Sequence, residues 1–303
     1  MSRPLRIGLP ALALAALAAA VWFCPPARLL AIKAAGRGPH CPLENALRAS
    51  RNLKTQIRYK DEILAASRLV EKAPGFHLWQ TPMGRWWIPE GDDWMLPYNL
   101  AEQKRNIYGT GPLAVRAGDV VLDCGANIGV YTRLALDLGA GTVVAIEPAP
   151  ENVEALRRNF PDDIAAGRVV IVPKGVWDKD DVLTLKVDPN NTAADTFVMQ
   201  LKDAGGQVRV PLTTIDKLAA DLKLPRVDYI KMDIEGAEQR ALAGARETIA
   251  RYHPRLALSA YHMPDDPEKI PALVRRAWPG YRQQCGPCTE AGFRVRPDVI
   301  NFY

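Results

Sequence analysis

Cysteine is scarce in this chain: five residues among 303, at positions Cys24, Cys41, Cys124, Cys285 and Cys288. So sparse and odd a set speaks against a secreted protein built on disulfides. Internal repeats and low-complexity tracts are absent, and with 48% hydrophobic and 24% charged residues the chain buries at least one full core, which excludes wholesale disorder. Acidic residues are lacking in one region only. Residues 1–111 carry 15 basic and 8 acidic side chains, a balance of +7, whereas residues 112–303 carry 24 and 26, a balance of −2. The overall +5 therefore belongs to the N-terminal third, and a nucleic-acid enzyme with a basic catalytic face is disfavoured.

Charge is missing altogether from Ile7 to Ala27, a stretch rich in Ala and Leu that ends in Trp22, Phe23 and Pro25-Pro26. A helix over residues 7–24 has 18 residues and a length of about 27 Å, just enough to cross a bilayer core. The preferred reading is an uncleaved membrane anchor. A cleavable signal peptide ending near Ala18-Ala19-Ala20, or a buried apolar helix, stays open. Between Arg28 and Lys60 eight basic residues face the single acid Glu44. That imbalance predicts a cytoplasmic flank, and with it a cytoplasmic main domain, drawn to anionic lipid headgroups. Leu43, Leu47, Leu53, Ile57 and Leu64 recur at near-helical spacing, which predicts a helix with its basic residues on the outer face.

From Leu113 onward buried-strand runs alternate with amphipathic helical ones. Strands are expected at 120–122, 143–146, 169–172, 227–232 and 255–260, with a hairpin at 182–187 and 208–212 and two short terminal strands. Helices are expected at 130–138, 151–160, 237–252 and 266–278. This alternation defines an α/β, Rossmann-like fold: a mostly parallel sheet with helices on both faces and ligands at the C-terminal strand ends. Three segments follow: an apolar helix over 1–27, a basic helical and Trp-rich lead-in over 28–111, and the main domain over 112–303.

The first strand ends in Asp123-Cys124-Gly125-Ala126-Asn127-Ile128-Gly129. Glycines at a strand-to-helix turn admit close approach of backbone to a ligand, and the helix N-terminus beyond offers free N–H groups. A carboxylate at the Asp123 position repels a pyrophosphate and suits a cationic ligand bearing an amino group. Glu147, at the end of the second strand, is placed for two ribose hydroxyls. Together they describe a site for S-adenosyl-L-methionine.

That loop, followed by Ile146-Glu147-Pro148 with Glu151-Asn152, by Thr213-Thr214-Ile215-Asp216, and by Ile230-Lys231-Met232-Asp233-Ile234-Glu235-Gly236-Ala237-Glu238, resembles the successive motifs of the FkbM-type S-adenosylmethionine-dependent methyltransferases. The resemblance covers roughly residues 113–303. It implies a seven-stranded methyltransferase sheet and methyl transfer, usually to a hydroxyl oxygen of a saccharide or natural product, and a glycolipid acceptor would suit an anchored enzyme. One departure is Ser259-Ala260-Tyr261-His262, where an acidic residue is expected before the His.

Roles follow residue by residue. Gly125, Ala126, Asn127 and Gly129 form the cofactor loop, Asp123 faces the methionine amino group directly or through water, Glu147 holds the ribose, and Asp178, beside Trp177, meets the adenine. Lys231, Asp233 and Glu235 share one face if the strand stays extended. Asp233 and His262 are the candidate catalytic groups with Lys231 beside them, His262 as a general base of near-neutral pKa. No third hard ligand appears at suggestive spacing, so metal independence is expected. Trp79, Trp86, Trp87 and Trp94 either stack on a sugar acceptor or pack as core. The Cys285-Gly286-Pro287-Cys288 pair reads as a turn with two incidental thiols in preference to a redox or zinc site. Two alternatives remain: a nicotinamide-dependent oxidoreductase of the same fold class, and a membrane-associated module without activity.

Overall fold

Runs of valine, isoleucine and leucine with no polar interruption form strands that are covered on both faces, because a parallel sheet carries helices on each side. In the computed structural model, which describes residues 9–38, 40–187 and 206–303, these runs become the centre of one sheet. Ahead of it lie α1 (Leu9–Phe23), α2 (Pro25–Ala34), α3 (Leu43–Ala65), the strands β1 (Arg68–Ala73), β2 (Phe76–Thr81) and β3 (Gly84–Pro89), and α4 (Leu96–Lys104). Then come β4 (Val120–Cys124), α5 (Val130–Asp137), β5 (Thr142–Ile146), α6 (Pro150–Asn159), α7 (Pro161–Ala165), β6 (Val169–Val172), and the strands β7 (Gly175–Val176), β8 (Asp181–Val187) and β9 (Gly206–Thr213). The remainder is α8 (Ile215–Asp221), β10 (Tyr229–Met232), α9 (Glu238–Ala243), α10 (Arg246–Tyr252), β11 (Arg255–Ser259), α11 (Asp266–Ala277), β12 (Gln283–Cys285), β13 (Cys288–Ala291), β14 (Arg294–Pro297) and β15 (Val299–Phe302).

Seven strands lie in the order β12-β15-β11-β10-β4-β5-β6. Neighbours from β11 to β6 pair in parallel, and only β15 runs against both of its neighbours. The chain leaves β4 toward β5 and later returns to β10 on its other side, so the strand order reverses between β4 and β10. Such a reversal opens a crevice at the C-terminal strand ends. Leu122, Val144, Ile230, Met232, Leu258 and Ile300 form the core on one face.

Several expectations are corrected. Residues 237–252 form two helices, broken at Gly244, where an added Cβ would lie 2.2 Å from the Trp177 carbonyl oxygen. The terminal strands number four among the described residues, β13 and β14 forming a separate ribbon. The lead-in is part sheet: β1, β2 and β3 pair antiparallel and carry Trp79, Trp86 and Trp87. On α3 the buried residues are Ala46, Ala49, Gln56 and Ile63, whereas Leu43, Leu47, Leu53, Ile57 and Leu64 are all exposed, so the leucine stripe faces outward.

Of the expected 18-residue apolar helix the structure describes residues 9–23. Arg3, Arg6 and Ile7 lie outside the described residues, as does the polar stretch between β8 and β9. Within them α1 has 15 residues, about 22 Å, and bends by 104° into α2 at the Pro25-Pro26 pair. No single described helix is long and apolar enough to cross a membrane. Finally, Cys288 is no incidental thiol. It is disulfide-bonded to Cys41, 247 residues away, and fastens the segment before α3 to β13; Cys24, Cys124 and Cys285 are free.

Candidate active site

The loop after β4 is folded tightly against the tip of β10. Gly125 has φ +73°, and a Cβ there would lie 1.9 Å from the Asp233 carbonyl oxygen, so only glycine fits. Asn127 is also left-handed, at φ 50°. Gly125, Ala126 and Asn127 line a cavity over the β4/β10 crevice. Gly129 lies behind that wall: it caps α5 at φ +95° and abuts the Phe160 ring.

Glu147, at the end of β5, lines the same cavity. Its carboxylate accepts from the Asn127 N–H at 2.8 Å and the Ala149 N–H at 3.0 Å. Burial outweighs those donors and lifts the carboxyl to about 7. Asp123 sits elsewhere. It is fully buried beneath the loop, where its carboxylate accepts from Thr132 Oγ1 at 2.7 Å and pairs with Lys231 Nζ at 3.2 Å. Lys231 also donates to the Gly125 carbonyl at 2.7 Å. Burial opposes its charge, but Asp123 and Asp233 outweigh burial and hold its pKa above the ordinary lysine value. Asp123 and Lys231 thus form a buried tether that fixes the glycine loop, and Asp123 is not among the residues that line the cavity. Asp178 is not among the cavity-lining residues; it accepts from Arg240 Nη1 at 2.7 Å.

Across the crevice, Asp233 accepts from Tyr108 Oη at 2.7 Å and from Tyr261 Oη at 3.4 Å. The strand ends at Met232, and Glu235 (φ 52°) with Gly236 (φ 94°) turns the chain sharply, so Glu235 reaches the cavity wall by a turn and not by strand periodicity. His262 lies behind this wall. Its Nδ1 is 2.8 Å from Glu238 Oε1, and its Nε2 is 3.4 Å from Glu235 and 3.5 Å from Asp233. Burial disfavours a charged ring, yet Glu238 and Glu235 more than compensate and raise its pKa well above the ordinary histidine value. His262 thus sits among three carboxylates behind the cavity wall, and their charges favour a protonated ring, which works against the expected general base of near-neutral pKa. Asp233, Glu238 and His262 hold ligand-type atoms within 4.8 Å of one another. Glu238 and His262 thus add to Asp233 the ligand-type groups that sequence spacing does not reveal.

Sequence motifs missed the far wall, which comes from the lead-in. Met95, at the N-terminal cap of α4, faces the cavity with Asn99, Glu102 and Gln103 of that helix, and Tyr108 follows in the next loop. Their signal is the helical spacing of Met95, Asn99 and Glu102, which marks a common helix face. Gln103 Oε1 is buried without a partner among the described residues. Trp79, Trp86 and Trp87 are absent from the lining; Trp86 is 2% exposed in the core and Trp79 Nε1 donates to Asp93 at 2.6 Å.

A parallel sheet with one reversed strand near its edge, a glycine loop after its first parallel strand and a carboxylate at the end of the next define a methyltransferase-type site. The Methyltransferase FkbM domain family matches residues 123–294, more than half of the chain, and this chain belongs to that family. Among curated relatives, 31-O-demethyl-FK506 methyltransferase FkbM of Streptomyces tacrolimicus is 31% identical, over 46% of this chain and 67% of its own length. Hexuronic acid methyltransferase AglP of Haloferax volcanii is 26% identical, over 52% of this chain and 62% of its own. The chain thus spans under two thirds of AglP. A crystal structure of Methyltransferase FkbM from Methylobacillus flagellatus is 18% identical, covers 86% of this chain and 62% of its own, and has a TM-score of 0.45. Family membership sets the nicotinamide oxidoreductase aside.

Proposed function

We propose that this protein transfers the methyl group of S-adenosyl-L-methionine to a hydroxyl oxygen of a saccharide, glycolipid or natural-product acceptor. One observation carries the reading: a single cavity joins the Gly125–Asn127 loop and Glu147 on one side to Asp233, Tyr108 and Tyr261 on the other. The lining suits the cofactor. Gly125 leaves bare backbone where a side chain has no room, and the acids Glu147, Asp233 and Glu235 face a space fit for a cation. When bound, the cofactor supplies a methyl group activated on a sulfonium, and displacement requires that donor and acceptor be held in line. Glu147 holds the ribose. The loop backbone at Gly125, Ala126 and Asn127 receives the methionine end, with Asp123 and Lys231 fixing it from beneath. Asp233 and the two tyrosine hydroxyls orient the acceptor. The names of FkbM and AglP support a hydroxyl of a macrocycle or sugar as the target class.

Glu147→Ala tests the central assignment by calorimetric titration with S-adenosyl-L-methionine. Loss of two ribose hydrogen bonds to a charged acceptor predicts at least about tenfold weaker binding; unchanged affinity removes the cofactor site. Turnover of labelled cofactor by the wild type separates this reading from an inactive module.

The same reading puts the enzyme at a membrane surface. Its support is the outward leucine stripe of α3 among Arg48, Arg51, Lys54 and Arg58, together with an α1 whose Leu12, Leu14, Leu17, Trp22 and Phe23 are exposed. Apolar side chains interleaved with basic ones lie in the plane of an anionic interface, with no need to span it.

A further inference from the structure

The acceptor hydroxyl must lose its proton during transfer, and the residues that motifs offer for this step are committed elsewhere. Lys231 is a charged tether on Asp123 and the Gly125 carbonyl. His262 stands behind the wall, outside the cavity lining, with its Nδ1 2.8 Å from Glu238. Asp233 accepts from two tyrosines, and although burial alone would raise its pKa, Lys231, His262 and the Tyr108 hydroxyl hold it below the carboxylate range. A weak base results.

Glu102 differs from all of these. It projects from α4 into the cavity, is half-buried, and its carboxyl makes no hydrogen bond or ion pair among the described residues. Resting on the methyl-transfer reading, we infer that Glu102 is the catalytic base that takes the proton of the acceptor hydroxyl. The hydroxyl oxygen gains the methyl carbon, the carbon–sulfur bonding pair stays on the departing neutral thioether, and the proton passes to the Glu102 carboxylate and then to water. The surroundings suit the task. Burial, then Asp233 on the β10 tip and Asp298 between β14 and β15, lift the Glu102 carboxyl to about 8, against the lowering pull of Arg105 and Lys231. A base with a pKa near working pH combines availability with driving force. Glu102 lies outside residues 123–294, so the family motifs do not reach it.

Glu102→Gln decides the matter with two readouts. Methyl transfer from labelled S-adenosyl-L-methionine into a lipid and glycan extract of cells lacking the protein is expected to fall about a hundredfold or more, while cofactor affinity stays within about threefold. The wild-type rate is expected to rise through an apparent pKa near 8, a limb absent from the variant, with partial activity in Glu102→Asp. Turnover within about threefold of wild type, or persistence of the limb, overturns the assignment. The second readout needs no acceptor: infrared titration of the free wild type is expected to show a protonated carboxyl at pH 7 that ionises near pH 8 and is missing from Glu102→Gln. A difference spectrum without that band overturns the inference even if the variant loses stability. If the wild type binds no S-adenosyl-L-methionine, the proposed function fails, and the infrared result still judges Glu102.

Discussion

His262 illustrates how burial and charge together decide a residue's role. Its side chain is 3% exposed and lies among Asp233, Glu235 and Glu238. Because its folded pKa is raised, the ring contributes stability fully below its unfolded value of about 6.5, and that contribution is lost as pH rises through the folded value. His262→Gln removes one partner of a buried ionic cluster, at an expected cost of about 3–5 kcal/mol near pH 6. Urea unfolding of both proteins from pH 6 to pH 10 is expected to show the gap closing toward alkaline pH. A gap independent of pH rejects the imidazolium. The sequence locates His262 near the cleft, since it follows the last parallel strand, but its charge state depends on Glu238 and Glu235, whose approach is a matter of the Glu235-Gly236 turn. Asp123 is similar: its position at the strand end is legible, whereas its pairing with Lys231 depends on the register between β4 and β10.

Elements were legible where one force dominates. β4, β5 and β10 are built on apolar residues and form buried strands, β6 is an apolar run half-buried at the sheet edge, and α5 ends close to Gly139 as its pattern implies. α3 shows the limit of periodicity: its leucine stripe is real, yet the face that packs on the protein carries Ala46, Ala49, Gln56 and Ile63, with Asn52 Nδ2 donating to the Cys288 carbonyl at 2.8 Å. Small residues allow close approach to β13, which leaves the leucines outside. If that outer face meets an anionic interface, the protein is expected to float with phosphatidylcholine vesicles containing phosphatidylglycerol and less with phosphatidylcholine alone, because basic residues near such a surface contribute about 1 kcal/mol each. Leu47→Glu with Ile57→Glu is expected to abolish flotation without altering cofactor affinity. Equal flotation of this double variant and wild type rejects the membrane face, and dimerisation lost in the variant assigns the stripe to a second copy instead.

At the scale of the molecule, the lead-in and the C-terminal ribbon act as one unit. Cys41 bonds to Cys288, Arg28 pairs with Glu290, and Asn45 Nδ2 donates to the Gly286 carbonyl at 3.2 Å. Counting cysteines suggests no such link, because an odd set is what remains when two of five pair and three stay free; the pairing is created by docking α3 on β13, a contact that sequence spacing does not reveal. A link across 247 residues removes chain entropy from the unfolded state worth about 5 kcal/mol in the loop-closure picture. Denaturing thiol titration without reductant is therefore expected to count three thiols, at Cys24, Cys124 and Cys285, and five after reduction. Cys41→Ser is expected to lower the melting temperature while leaving S-adenosyl-L-methionine affinity unchanged, since neither cysteine lines the cavity. The bond also bears on the side of the membrane: disulfides persist in oxidising compartments, which opposes the cytoplasmic placement that the basic flank suggests. Acid quenching of intact cells, followed by alkylation in denaturant so that burial shields no thiol, measures this directly. Cys41 and Cys288 protected from alkylation place the domain on the oxidising side; five reactive thiols in vivo, with the bond appearing only after lysis, place it inside.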